Sequence, residues 1–387
     1  MSQTLCNRRD AIRALGVAAA GFWLTPSGFG LTRQAPAASV AVGQCQTYGP
    51  EVVSNLATMF DRIGGLEPLV KGKTVAIKLN LTGGAGDRLG DLPPELTHWV
   101  HPKVISATVY LLGKAGARRV RLLESPWSTA EPVQEFMRRA GWNPSQFVNL
   151  APRVEFENTN YLGEARHYTR FKVPHGGLMF AGYDLNHSYA DCDVFVSLAK
   201  LKEHATAGVT LSIKNCFGIT PCTIYGEGAG AGQPSLTPHG GRGMLHNGNR
   251  TPSESAPQPL HPQAYVSKDP GYRVPRVAAD LVAARPIELA IIDGIYTETG
   301  GEGPWVRRVK AVHPGLLVAG RNCVATDAVA MALMGFDPMA DRGTAPFETS
   351  DNTLGLAEQL GAGTRDLSRI EVLGASINQA KFNFRAA

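Results

Sequence analysis

The sequence predicts an α/β fold: a mostly parallel sheet with helices on both faces and a ligand crevice at the carboxyl ends of the strands. Three observations carry this reading. Four short apolar runs each finish in polar residues: 74–79 in Lys78 and Asn80, 120–123 in Glu124 and Ser125, 194–198 in Lys200 and Lys202, and 289–292 in Asp293 and Gly294. Runs that are apolar throughout suit strands covered on both faces. A helix is predicted between the first two, giving a strand–helix–strand unit of ~50 residues, the right-handed parallel crossover. Finally, segment 192–221 passes from a buried-looking strand into three lysines, a histidine and an amide. Ligands of such sheets bind beyond the carboxyl ends of the strands, where all four polar clusters fall.

Residues 1–38 read as an export signal. Asn7-Arg8-Arg9-Asp10 precedes an apolar stretch, 14–24, and Ala35-Pro36-Ala37 supplies small residues for cleavage. The stretch is shorter than the ~20 residues that span a bilayer. Paired arginines ahead of a mildly apolar, Ala/Gly-rich core predict the twin-arginine route, so the expected partners include that export machinery and the expected location is periplasmic or otherwise exported. Removing the leader to Ala37 takes away Arg8, Arg9, Arg13, Arg33 and Asp10, and the formal charge falls from +5 to +2. A nearly balanced chain gives no electrostatic reason to expect nucleic acid or a membrane surface, and no stable span is expected after cleavage. The remaining ~350 residues read as a single large α/β domain, 39–387. Five cysteines stay with it, without a Cys-x-x-Cys pair, so neither an iron–sulfur cluster nor a structural zinc is indicated.

The elements follow in order. Pro102 suits a first helical position; Val104, Thr108, Leu111 and Leu112 make an apolar stripe, and Gly116 ends it. Lys200, Lys202 and His204 are spaced by two and in extended chain share one side. A helix with Val209, Ile213 and Phe217 as its stripe is predicted next, closed by Gly218 and carrying Lys214 and Asn215. Segment 222–271 is rich in Gly, Pro, Ser and His with no apolar period, and is expected as an insertion that covers or borders the crevice. A strand at 315–319, a helix at 326–334 with Asp327 in its first turn, a short helix at 352–360 and a strand at 370–373 complete the fold.

The site residues expected from position are cations (Lys78, Lys200, Lys202, Lys214), carboxylates (Glu124, Asp293, Asp327), histidines (His101, His204) and amides (Asn80, Asn215). Such a set grips a carboxylate or phosphate and moves a proton beside it. His204, Lys202 and Asp293 are assigned to chemistry and Lys78, Asn80, His101, Glu124, Lys200, Lys214, Asn215 and Asp327 to binding a small or saccharide-like anion. His98 and His101 offer a competing zinc arrangement, but His101-Pro102 opens a helix and breaks the single-turn geometry, so no metal ligand is assigned. The cofactor is left unknown and a bound metal open. Ser125 lacks the G-x-S-x-G elbow of serine hydrolases, and Cys216 reads as core.

On VAIKLNLTG (75–83), the helix and strand of 101–125, Lys-x-Lys-x-His followed by Lys-Asn-x-Phe-Gly (200–218), ELAIIDGIYTETGGEGP (288–304) and VAGRNCVATDAVAMALMGFDP (318–338), the chain resembles the domain-of-unknown-function 362 family. The resemblance implies an α/β fold and this site, with the reaction unsettled. The four-cysteine ferredoxin module of many members is absent here. The spacing of His204, Gly208 and Lys214 is similar to that of lactate racemase-type proteins, in which the histidine transfers a proton and the lysine holds a nickel-pincer nucleotide. The Ser-Gly-Gly before that lysine is replaced here by Leu211-Ser212-Ile213. Three functions stay open: an exported enzyme acting on such an anion, a periplasmic binding or cofactor-assembly protein using the same pocket, and, behind these, a metal- or nickel-pincer-dependent isomerase.

Overall fold

Val, Ile and Leu crowd eight segments, and backbone pairing lines these up as one sheet. In chain order the strands are β1 (Ala38–Gln44), β2 (Thr74–Lys78), β3 (Arg119–Glu124), β4 (Val154–Asn158), β5 (Val194–Lys200), β6 (Leu289–Gly294), β7 (Leu316–Gly320) and β8 (Ile370–Gly374). Their spatial order is β8-β1-β7-β6-β5-β2-β3-β4. Only β7 runs antiparallel to its neighbours; the remaining pairings are parallel. The structure is a computed structural model that describes residues 37–229, 234–238, 240–249 and 267–387. The expected export signal with Arg8 and Arg9, and much of the Gly/Pro/His-rich segment, lie outside the described residues. Among those described, no helix is long and apolar enough to cross a membrane.

The pleat sends alternate residues to opposite faces, and each face has its own core. Ala76, Phe195, Ala199, Ala290, Ile292 and Val318 turn to one side. There they meet the short helix α3 (Leu211–Asn215) and the longer α4 (Pro270–Ala284) and α5 (Cys323–Leu333). Val75, Ile77, Val196, Leu198, Ile291 and Ala319 turn to the other, onto α1 (Glu51–Arg62) and α2 (Pro102–Lys114). Each fully buried Val, Leu or Ile contributes about 1.5–3 kcal/mol relative to exposure, so two-sided covering explains why the central strands are apolar throughout. The edge strand β4, VEFEN, is half-buried and carries Glu155 and Glu157, charges that discourage further strand addition.

Three local expectations change. The helix expected from Val209 begins at Leu211. Before it, Glu203–His204 pairs with Gly208–Val209 as a two-residue antiparallel hairpin, so Val209 is a strand residue. Gly218 lies in a 3₁₀ turn, Cys216–Ile219, without a left-handed backbone. A Cβ there would stand 3.1 Å from the Lys78 ammonium, so this glycine makes room for a side chain. Helix α5 starts at Cys323, three residues before the expected 326, because the Asn322 side chain accepts the Ala325 amide and caps it.

Candidate functional site

The carboxyl ends of β2 and β3, the 203–209 hairpin, helix α3 and the 302–305 loop surround a cavity of about 710 Å³. The described part of the Gly/Pro/His-rich segment borders it through Gly241, Arg242 and His246. A shallower depression of about 590 Å³ lies by the ends of β1 and β8, and its lining among the described residues holds one charged side chain, Arg62.

Lys78, Glu124 and Asn215 form the floor. The Lys78 ammonium pairs with Glu124 and donates to the Leu79 carbonyl at 2.6 Å and the Asn215 side-chain oxygen at 3.4 Å. The second Glu124 oxygen accepts the Leu81 amide at 2.8 Å. Asn215 donates back to the Ser197 hydroxyl, tying α3 to β5. Burial pushes the Lys78 ammonium down, and Glu124 opposes that. Asn80, whose side-chain oxygen accepts the Lys200 amide, also lines the cavity.

The wall is built on α3, which is too short to be stable alone. Its start is held by Asp327 from α5: the carboxylate accepts the Ser212 amide (2.9 Å) and hydroxyl (2.6 Å) and the Ile213 amide (2.9 Å). Leu211, fully buried, is held at φ +41°. This arrangement aims Lys214 into the cavity. Among the described residues its ammonium has no hydrogen bond or ion pair; it rests over the Phe217 ring, 4.4 Å from the centroid. Burial, followed by the cations of Arg242, Lys202 and Lys78 against the pull of Glu302, lowers it to about 7.

His204 stands beside it. The Thr206 amide donates to its Nδ1 at 3.1 Å, so the neutral ring carries its proton on Nε2. Burial and then Lys214 hold this imidazole well below its ordinary range, and it is neutral at pH 7. Burial opposes ionisation of Glu302, but the Ala205 amide, the Trp305 indole and the Lys202 ammonium favour the carboxylate and keep the carboxyl low. Arg242 donates to the Ser125 hydroxyl (2.6 Å) and the Thr220 carbonyl (2.8 Å) and has no carboxylate partner among the described residues. His246, lowered to about 4 by burial and Lys214, donates its Nδ1–H to the Arg242 carbonyl, 2.9 Å away.

Five expected site residues do not line this cavity. Lys200 and Asp293 follow Leu198 and Ile291 on the opposite face of the pleat from Ala76 and Lys78. There the two are fully buried and paired at 3.0 Å, with Tyr48 and the His101 amide donating to the same carboxylate. Lys202 is also fully buried; it donates to the carbonyls of His98 and Glu302, both at 2.8 Å, and so braces the cavity wall from behind. The shared side expected of Lys200, Lys202 and His204 fails because β5 ends at Lys200. His101 caps α2 by accepting the Lys103 amide and stacks on Tyr48, centroids 3.5 Å apart. Asp327 works beneath the cavity as described. Near Lys202 lies Glu298, fully buried with both oxygens unpartnered; burial pushes it up and Lys202 down.

The reading of the sequence overlooked Arg242, Glu302, His246, Trp127 and Trp305. Glu302 and Trp305 sit in Gly-Glu-Gly-Pro-Trp, whose glycines and lone carboxylate after a strand were a usable signal. Arg242 had none, since nothing local distinguishes it from a solvated arginine. Among the described residues no group of three or more His, Cys, Asp or Glu side chains could hold a metal ion.

Comparison with known proteins gives a family without an activity. A thylakoid-associated protein of Synechocystis sp. is 27% identical over 185 residues, 47% of this chain and 51% of its own, so the chain spans about half the length of that relative. The lactate racemase apoprotein of Thermoanaerobacterium thermosaccharolyticum aligns with a TM-score of 0.31 at 14% identity, covering 76% of this chain and 56% of that one. A structural-genomics protein of Thermotoga maritima aligns with a TM-score of 0.35 at 12% identity, covering 82% and 60%. The model described as "Domain of unknown function (DUF362)" matches residues 75–332, a span that runs from β2 through the cavity residues to α5. The chain belongs to the DUF362 family.

Proposed function

We propose that the chain is an exported enzyme that binds a small organic anion in this cavity and transfers a proton on it. The observation that carries the reading is Lys214: an ammonium aimed into the cavity, unpartnered among the described residues, and tuned to about 7. A group that loses its proton near neutral pH is suited to general acid–base work. A carrier needs the cationic grip but not that tuning. The neighbouring His204 is neutral with the proton on Nε2, so it serves as a donor to a developing oxyanion and Lys214 as the proton-transfer group. This divides the labour differently from the expectation of His204 as acid–base and Lys214 as grip. Arg242 supplies the fixed charge. Export rests on Arg8, Arg9 and the short apolar stretch that follows.

Protonated Lys214 attracts the anion, so affinity should fall as pH rises through about 7, and binding there should take up a proton. Calorimetric titration of acetate in buffers of different ionisation enthalpy reads that uptake, which Lys214→Met should abolish. Proton transfer itself is read by wash-in of solvent deuterium next to the carboxylate, in a panel of hydroxy and keto acids, with a loss of ~10²-fold or more in Lys214→Met. Binding without proton uptake, and without wash-in for any acid, would leave a carrier.

A further inference from the structure

We propose that the ligand is an acidic sugar, a pyranose ring bearing a carboxylate, with the carboxylate at Lys214 and Arg242 and the ring at Trp127 and Trp305. This rests on the anion reading above and adds what holds the rest of the molecule. Tryptophan is highly buried on average, yet Trp127 is 57% exposed and Trp305 47%, and both line this one cavity.

Trp305 is a fixed platform. A Cβ on Gly83, whose φ is +81°, would lie 2.5 Å from the indole, and one on Gly303 2.3 Å from it, so glycine at both positions lets the ring pack against backbone. Its Nε1–H donates to Glu302 at 3.3 Å, which fixes its orientation. An indole face is apolar, large and stiff, suited to the C–H side of a sugar ring.

The rest of the lining asks for hydroxyl groups. The Thr210 side chain lines this cavity, and its hydroxyl is buried without a hydrogen-bond partner. Asp87 and Glu302 bring carboxylates to the same space, which accept hydrogen bonds and repel a second anion. A flat aromatic acid satisfies the tryptophans but gives Thr210, Asp87 and Glu302 nothing to bond. A ring with one carboxylate and several hydroxyls answers all of them. About 710 Å³ is within the ordinary range for a small-molecule site.

The test is titration of the folded protein with D-galacturonate and D-glucuronate, read by tryptophan fluorescence, against acetate, galactose and benzoate. One uronate should bind at least tenfold more tightly than acetate and shift the indole emission, while galactose does not bind. Trp127→Ala and Trp305→Ala should each lose most of the gain over acetate, and Thr210→Val, which keeps the shape, should lose part of it. Uronates no tighter than acetate, or benzoate as tight as either, overturn the sugar assignment and leave the anion reading standing. If none of the acids binds, the anion reading goes as well.

Discussion

Lys200 and Lys214 both bring an ammonium to the carboxyl edge of the sheet, and only Lys200 meets a carboxylate there. Its partner Asp293 also receives the Tyr48 hydroxyl and two backbone amides. Removing one member of such a buried pair strands the other, so Asp293→Ala should cost about 3–5 kcal/mol in chemical denaturation. Lys214 should behave in the opposite way. Its ordinary value of 10.5 drops to about 7 in the folded protein, so between these pH values the unfolded chain binds more protons, and stability rises with pH across that window. Lys214→Met removes this penalty. The variant should melt higher than the parent at pH 7 and below, with the advantage shrinking towards pH 10; an equal or lower melting temperature at pH 7 would count against a desolvated, unpartnered lysine.

Helix α3 shows how a five-residue element can hold a side chain in place. Two amides and a hydroxyl at its start converge on Asp327, and Leu211 accepts a backbone conformation that costs a residue with a Cβ about 1–3 kcal/mol. Asp327→Ala leaves two buried amides unpaired at roughly 1–3 kcal/mol each. It should therefore lower the melting temperature and also weaken acetate binding, by letting Lys214 swing; Asp327→Asn, still able to accept at one oxygen, should lie between. Intact acetate affinity in Asp327→Ala would detach α3 from the cavity. The same element marks where the sequence was legible. Apolar runs ending in Lys78, Glu124, Lys200 and Asp293 announce strands and their carboxyl ends, because two-sided burial leaves its mark on every residue of a run. They do not announce which face the final residue takes, since a strand apolar on both sides hides its own alternation. That is why Lys200 and Asp293 were expected in the crevice with Lys78. The hairpin at Glu203–Val209 was hidden for another reason: two-residue strands are too short to show a period.

For the molecule as a whole, the expected address is testable without knowledge of the reaction: with Arg8 and Arg9 both replaced by lysine, full-length precursor should accumulate in the cytoplasm. Processing and export equal to the parent would rule out the twin-arginine route. The sheet order bears on when such a precursor is ready to leave. Strand β1, which begins at Ala38, is an interior strand: Val40 pairs with Gly320 on one side and Val372 on the other. The first of the eight strands in chain order thus has no sheet partner until β7 and β8, far along the chain, have been synthesised. Closure across so much chain is slow, and the unpaired strand is a hazard while it waits. It also makes β1 a reporter of sheet closure, because a chain truncated before β7 cannot dock it. A route that exports folded proteins would then receive, directly after its signal, a segment whose order certifies that β7 and β8 have been made and have docked.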